Sequence, residues 1–126
     1  MSRLFCFFLF ITCFSCSKDY FIPTILREHT TKIIQNDGIS VTVIIDQPNL
    51  KNVDVLMVFH GTVLSDQDIL TAANTTLDKF KGILDRKDMM LISVAYPQEN
   101  VLLGDSILQA EAALLWLKNT ANQELG

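Results

Sequence analysis

Two short stretches carry groups whose types and spacing could do chemistry. The first is His60-Gly61-Thr62, which ends the apolar run Val53 to Phe59. Glycine lets a backbone turn tightly without a Cβ, and the amides that follow can face the space above a sheet. Backbone N–H groups held in that way stabilise a developing oxyanion, typically by a few kcal/mol per donor. The second is Gly104-Asp105-Ser106, inside Val101 to Leu108. It offers a hydroxyl on a turn next to a carboxylate, the raw material of a nucleophile.

Each stretch has a plainer reading. Ser106 or Asp105 can cap a helix, with Ser106 and Gln109 forming a capping box. Only Val101-Leu102-Leu103 could serve as a strand before Gly104, directly after Pro97-Gln98-Glu99-Asn100. His60 could act as a general base, but no nucleophile is paired with it by spacing, and it reads as a residue pinning its own loop. His29, between Glu28 and Thr30, reads as a solvated strand or linker residue. Two isolated histidines are too few for a metal site, which wants three or four ligands. No Gly-rich phosphate loop occurs, and no cofactor is expected. Trp116 reads as core.

The elements that must position these groups follow from periodicity. Lys32–Gln35 and Ile39–Asp46 flank Asn36-Asp37-Gly38, a hairpin signal because Asp-Gly tolerates positive φ. Alternation of Ile39, Val41, Val43 and Ile45 with Ser40 and Thr42 predicts a half-buried edge hairpin, and Gln47 to Asn52 a polar loop. Val53–Phe59, except for Asp54, and Met89–Ala95 are apolar on both faces, as strands covered on both sides of a parallel sheet are. Between them Ile69, Leu70, Ala73, Leu77, Phe80 and Leu84 mark one helical face. Ser65 with Asp68 fits a capping box there, and Asn74-Thr75-Thr76 and Gly82 are candidate breaks. A second helix is predicted from about Ser106 to Gln123, apolar through Ile107, Ala110, Ala113, Leu114, Trp116 and Leu117. Strand, helix, strand at this spacing is a βαβ unit. His60 then falls at a strand's carboxyl end, where ligands gather in open α/β sheets, and Tyr96-Pro97 closes the second strand at the same edge.

With these residues in this order, the stretch from Ile39 to Gly126 resembles the α/β-hydrolase family: the hairpin, the strand "VLMVFHG", a crossover helix, the strand "MMLISVAYP" and the helix "AEAALLWLKN". The expected class is therefore α/β, an incomplete α/β-hydrolase-like fold in which an edge β-hairpin precedes β-α-β-α with a parallel core pair. The resemblance implies that Thr62 supplies one oxyanion-hole amide and that Gly61 shapes the turn. Tyr96, by its place at the end of the second strand, reads as a hinge residue, with lining a substrate pocket as the alternative. It also implies a Gly-x-Ser-x-Gly elbow after the next strand, followed by an acid and a histidine. None of the three is present, so the chain itself is expected to be inactive. The implied parent is a serine hydrolase acting on a small-molecule ester or amide. Gly104-Asp105-Ser106 separately resembles the first block of GDSL-type esterases, with Ser106 as nucleophile. Leu108, however, stands where an elbow glycine would be.

Location is read from the first residues. Leu4 to Phe14 is an apolar run of eleven behind Arg3, too short to span a bilayer as a helix and suited to the core of a secretory signal. All three cysteines, Cys6, Cys13 and Cys16, lie here. The remainder therefore cannot be a disulfide scaffold. "FSCSKDY" resembles the end of a bacterial lipoprotein signal, which implies a lipid on Cys16 and anchoring to a membrane in the periplasm or at the cell surface. The alternative is an ordinary signal cut nearby. The boundaries expected are 1–15 signal, 16–28 tether and 29–126 domain. Of the 10 Lys and Arg residues only Arg3 precedes Cys16, so the rest faces 14 acidic side chains. Without a basic cluster, nucleic acid is not an expected partner. A small non-enzymatic surface lipoprotein that binds through its sheet edge is the competing reading.

Overall fold

The computed structural model describes residues 24–61, 63, 68–96 and 103–125. Cys16, the apolar N-terminal run, Thr62, Ser65 and Pro97 lie outside them. Four strands, β1 (Arg27–Asn36), β2 (Ile39–Pro48), β3 (Val55–Phe59) and β4 (Met90–Ala95), form one mixed sheet in the order β1-β2-β4-β3. Three helices complete it: α1 (Ile69–Ile83), α2 (Leu103–Asn119) and α3 (Ala121–Leu125). This is an α/β arrangement. β1 and β2 run antiparallel, β2 and β4 antiparallel, and β3 and β4 parallel.

The hairpin turn follows from its residues. Asp37 and Gly38 both take positive φ, 49° and 80°, the left-handed pair that a two-residue hairpin turn requires. The hairpin is longer than its alternation suggests. β1 begins at Arg27, inside the stretch expected to be tether, and β2 continues to Pro48. Nor is β2 half-buried at an edge. Val43, Ile44, Ile45 and Asp46 are all buried, because β4 pairs with the side of β2 that β1 leaves free. β1 is the edge, and its Glu28 and His29 are exposed while Lys32 is half-buried.

Alternation then sorts β4 onto two faces. Met90, Ile92 and Val94 join Val41, Val43, Ile45, Ala113 and Trp116 under α2, while Leu91 and Ala95 join Ile44, Ala73 and Leu77 under α1. Small Ala73 lets α1 come close enough for the buried Ser93 hydroxyl to donate to its carbonyl at 2.8 Å. A buried hydroxyl needs such a partner. α1 runs unbroken through Asn74-Thr75-Thr76, whose side chains donate to carbonyls one turn back.

Two cap assignments change. Asp68 is the N-cap of α1, accepting from the Thr71 amide at 2.8 Å. α2 starts at Leu103, so neither Asp105 nor Ser106 caps it, and Ser106 and Gln109 are buried at 6% and 5% exposure. Positions 106, 109, 113 and 116 share one helical stripe, and Ala113 and Trp116 on that stripe face the sheet. The polar pair therefore belongs to the packed side rather than to a boundary.

A fixed point lies at the amino ends of β3 and β4. The Asp46 carboxylate is 1% exposed and pairs with Arg27 at 2.7 Å and Lys81 at 3.1 Å. Arg27 also donates to the carbonyls of Asp46, Lys87 and Met89. One guanidinium thus joins the start of β1, the end of β2 and the turn into β4, and Lys81 brings in the last turn of α1.

Candidate functional site

At the other rim β3 and β4 end side by side, since parallel pairing sets Phe59 opposite Val94. The residues just beyond, His60 and Tyr96, meet there. The Tyr96 amide donates to His60 Nε2 at 3.1 Å and the Tyr96 hydroxyl to the His60 carbonyl at 3.3 Å. The two rings lie 5.0 Å apart, and Phe59 meets Tyr96 edge to face at 5.4 Å. An amide can only donate, so Nε2 must be the bare nitrogen. Nδ1 therefore carries the proton and donates to the Gly61 carbonyl at 2.7 Å. Both ring nitrogens are used inside the rim, and His60 is only 5% exposed.

Gly61 is exposed. Its backbone does not demand a glycine: φ is outside the left-handed region, and among the described residues an added Cβ would meet nothing within 4 Å. What the missing side chain leaves is space. A cleft of about 370 Å³ opens here, with His60 and Gly61 on one wall and Asp68, Thr71, Thr75 and Thr76 of the α1 entry on the other. The Asp68 carboxyl is held below the usual carboxylate range, first by the Thr71 hydroxyl and then by the Thr71 amide. The hydroxyls of Thr75 and Thr76 donate into the helix, and each oxygen keeps acceptor capacity.

A larger cleft, about 970 Å³, opens at the opposite end beside Leu26, Pro48, Leu50 and Leu125. Its charged lining is Arg27, Glu28, Lys51 and Glu124, of which Arg27 is committed to Asp46 and three carbonyls and Glu124 is paired with Lys32. The smaller cleft is the better candidate because it lies at the carboxyl ends of parallel strands.

Of the residues singled out in the sequence, the structure brings His60, Gly61 and Tyr96 together. Thr62 and Cys16 are outside the described residues. Ser106 sits buried in α2 with its own polar contacts. His29 is exposed on β1. Sequence reasoning missed Asp46, whose signal was a lone acid directly after Ile44-Ile45. It also missed Asp68 as the cap, which Thr71 three residues on could have indicated.

The rim and its cleft define an α/β sheet protein with a candidate site at the end of a parallel strand pair. No protein-family model, curated protein or solved structure matches the chain. Among the described residues no helix is long and apolar enough to cross a membrane, and no group of three or more His, Cys, Asp or Glu could hold a metal.

Proposed function

We propose that this chain is the N-terminal part of an exported serine hydrolase that cleaves an ester or amide by acyl transfer, anchored through a lipid on Cys16. The fold of the whole would be α/β-hydrolase-like. The observation that supports it is the convergence of His60, Gly61 and Tyr96 at the carboxyl rim of the parallel pair β3 and β4. In hydrolases of this family one oxyanion donor comes from the loop after the third strand, and the loop after β3 begins with His60 and Gly61. Thr62 N–H is the proposed donor, and His60 holds the carbonyl of the residue before it. A trans peptide sends C=O and N–H to opposite sides. A carbonyl tied to the imidazole is therefore a means of aiming the next amide away from the ring.

The nucleophile, acid and catalytic histidine would be supplied by chain that follows α3 in the parent. Ser106 is a poor substitute, being buried within α2. The test is labelling with a fluorophosphonate. The 126-residue chain should not react, and a longer product of the same coding sequence should. Labelling of the short chain that disappears in Ser106→Ala would replace this reading with the GDSL-type one. A stop codon directly after Gly126 would favour a non-enzymatic surface lipoprotein.

A further inference from the structure

Two titratable side chains are buried among the described residues, Asp46 at one rim and His60 at the other. Asp46 has its counter-charges. His60 has none in contact, and its two ring nitrogens do opposite things. Nδ1 donates to the Gly61 carbonyl at 2.7 Å, and Nε2 accepts from the Tyr96 amide at 3.1 Å. The first bond survives protonation of the ring, because an imidazolium donates from both nitrogens. The second cannot. A proton on Nε2 would face the Tyr96 N–H, donor against donor, with no acceptor between them.

We propose that His60 is a pH-sensitive clamp: its neutral ring ties the end of β4 to the end of β3, and proton uptake at Nε2 releases the Tyr96 amide. The closed rim has no place for that proton and the released rim has one. Falling pH therefore moves the equilibrium towards release. Histidine is the side chain that changes charge between about pH 5 and 8, which is the range in which such a clamp works. Release is local. The Tyr96 hydroxyl donates to the His60 carbonyl, a bond that does not involve the ring, and the ladder below it is unaffected, with Phe59 opposite Val94.

The surroundings set the direction no differently. Asp68 of the α1 entry is the one charged side chain lining the cleft beside His60. A carboxylate on that wall favours the charged ring and so works with release rather than against it. β3 and β4 carry no charge. The remaining charges of α1 are Asp78, Lys79 and Lys81, towards the end of the helix away from the cleft, where Lys81 is bonded to Asp46. On α2 the described charges, Glu111 and Lys118, are exposed. The proposal does not rest on the hydrolase reading.

The experiment is a titration of the ¹⁵N-labelled 126-residue chain from about pH 8 to 5. Long-range ¹⁵N–¹H spectra follow the His60 ring. Hydrogen exchange, corrected for the intrinsic effect of pH, follows the Tyr96 amide. The expected result is that Nε2 takes up a proton and that, over the same interval, Tyr96 protection falls on the order of tenfold, the equilibrium equivalent of one lost hydrogen bond. Amides in β2 and β4 should stay protected. His60→Gln, which can accept from the amide but cannot titrate, should keep Tyr96 protection level throughout. Should that variant not fold, coincidence of the two midpoints in the parent chain carries the test. Protonation of Nε2 with Tyr96 protection unchanged would overturn the proposal. So would a ring that stays neutral across the range with protection unchanged. An equal loss in His60→Gln would place the sensor on another group, and a loss shared by β2 and β4 would replace local release with general unfolding; either ends the proposal.

Discussion

Tyr96 donates its backbone N–H to Nε2 of His60 across 3.1 Å. That single bond ties the end of β4 to the end of β3 and settles which nitrogen of the imidazole holds the proton. Both ring nitrogens of this histidine are spent on its own rim and loop, in keeping with a residue that pins its own loop. The position at the rim is what a hydrolase reading needs; the role is support rather than proton transfer.

The first expectation concerns that ring. Long-range ¹⁵N–¹H spectra at neutral pH should show His60 with Nδ1 protonated and Nε2 bare. Replacing it by alanine leaves the Tyr96 amide without its acceptor, at a cost of about 1–3 kcal/mol, read as a lower midpoint in urea. His60→Gln, whose carbonyl can reach the place of Nε2, should recover part of it. Protonation at Nε2, or an alanine variant as stable as the parent, would remove the clamp from the account.

Gly61 separates stability from function. Because neither φ nor space requires glycine there, Gly61→Ala should leave the melting temperature unchanged or slightly higher, by up to about 1 kcal/mol in stability through the stiffer unfolded chain. Its methyl group would enter the cleft beside His60. In the proposed parent enzyme kcat/KM should fall while stability does not. A clear loss of stability instead would mean that the glycine serves the turn.

How much of this was legible is best seen residue by residue. The parallel pair could be read because Val53–Phe59, Asp54 apart, and Met89–Ala95 carry apolar residues on both faces; β4 is buried along its whole length as that pattern predicts, whereas β3 is buried only at Val58. The hairpin does lie at one edge of the sheet, with β1 outermost, but β2 is more buried than a half-buried hairpin strand, because Ile44 and Asp46 break the alternation where β4 joins. A strand neighbour distant in sequence leaves no local mark. The start of α2 was misplaced for a related reason. Ser106 and Gln109 are polar, which suggests a boundary, yet both are buried inside α2. The His60–Tyr96 bond joins residues 36 apart, so the sequence could place both at one rim and no more.

The Arg27–Asp46–Lys81 group should be the most sensitive polar site in the fold. Asp46 is 1% exposed, and removing it leaves Arg27 with carbonyl partners but no counter-charge. Asp46→Ala is expected to cost roughly 3 kcal/mol, the lower end of what breaking a buried pair costs. Arg27→Lys should recover little, because an ammonium cannot bond the carboxylate and three carbonyls in one planar fork. Lys81→Ala should cost under about 1 kcal/mol, since that ammonium is largely in water. Chemical denaturation of the three variants gives the order directly. Equal losses for Asp46→Ala and Lys81→Ala would show that the solvated arm, and not the buried one, holds the joint.

Acid should loosen the two ends of the molecule by a common route. Asp68 is drawn below the usual carboxylate range by Thr71, Asp88 by Arg86, and Glu124 by Lys32. A carboxyl whose folded value is depressed binds its proton more readily when the chain is unfolded. Its contribution to stability is therefore complete above the unfolded value, near 4, and disappears as the pH falls through the lower folded value. Through these carboxyls the melting temperature should hold from neutral pH down to about 5 and decline below about 4. Asp68→Asn isolates one share of that decline: asparagine caps a helix nearly as well but does not titrate. The gap in melting temperature between the parent chain and Asp68→Asn should be open at neutral pH and shrink as Asp68 takes up its proton. A gap that stayed constant from pH 7 to below pH 3 would mean that the Asp68 charge contributes nothing to the start of α1, and that the cap acts there through geometry alone.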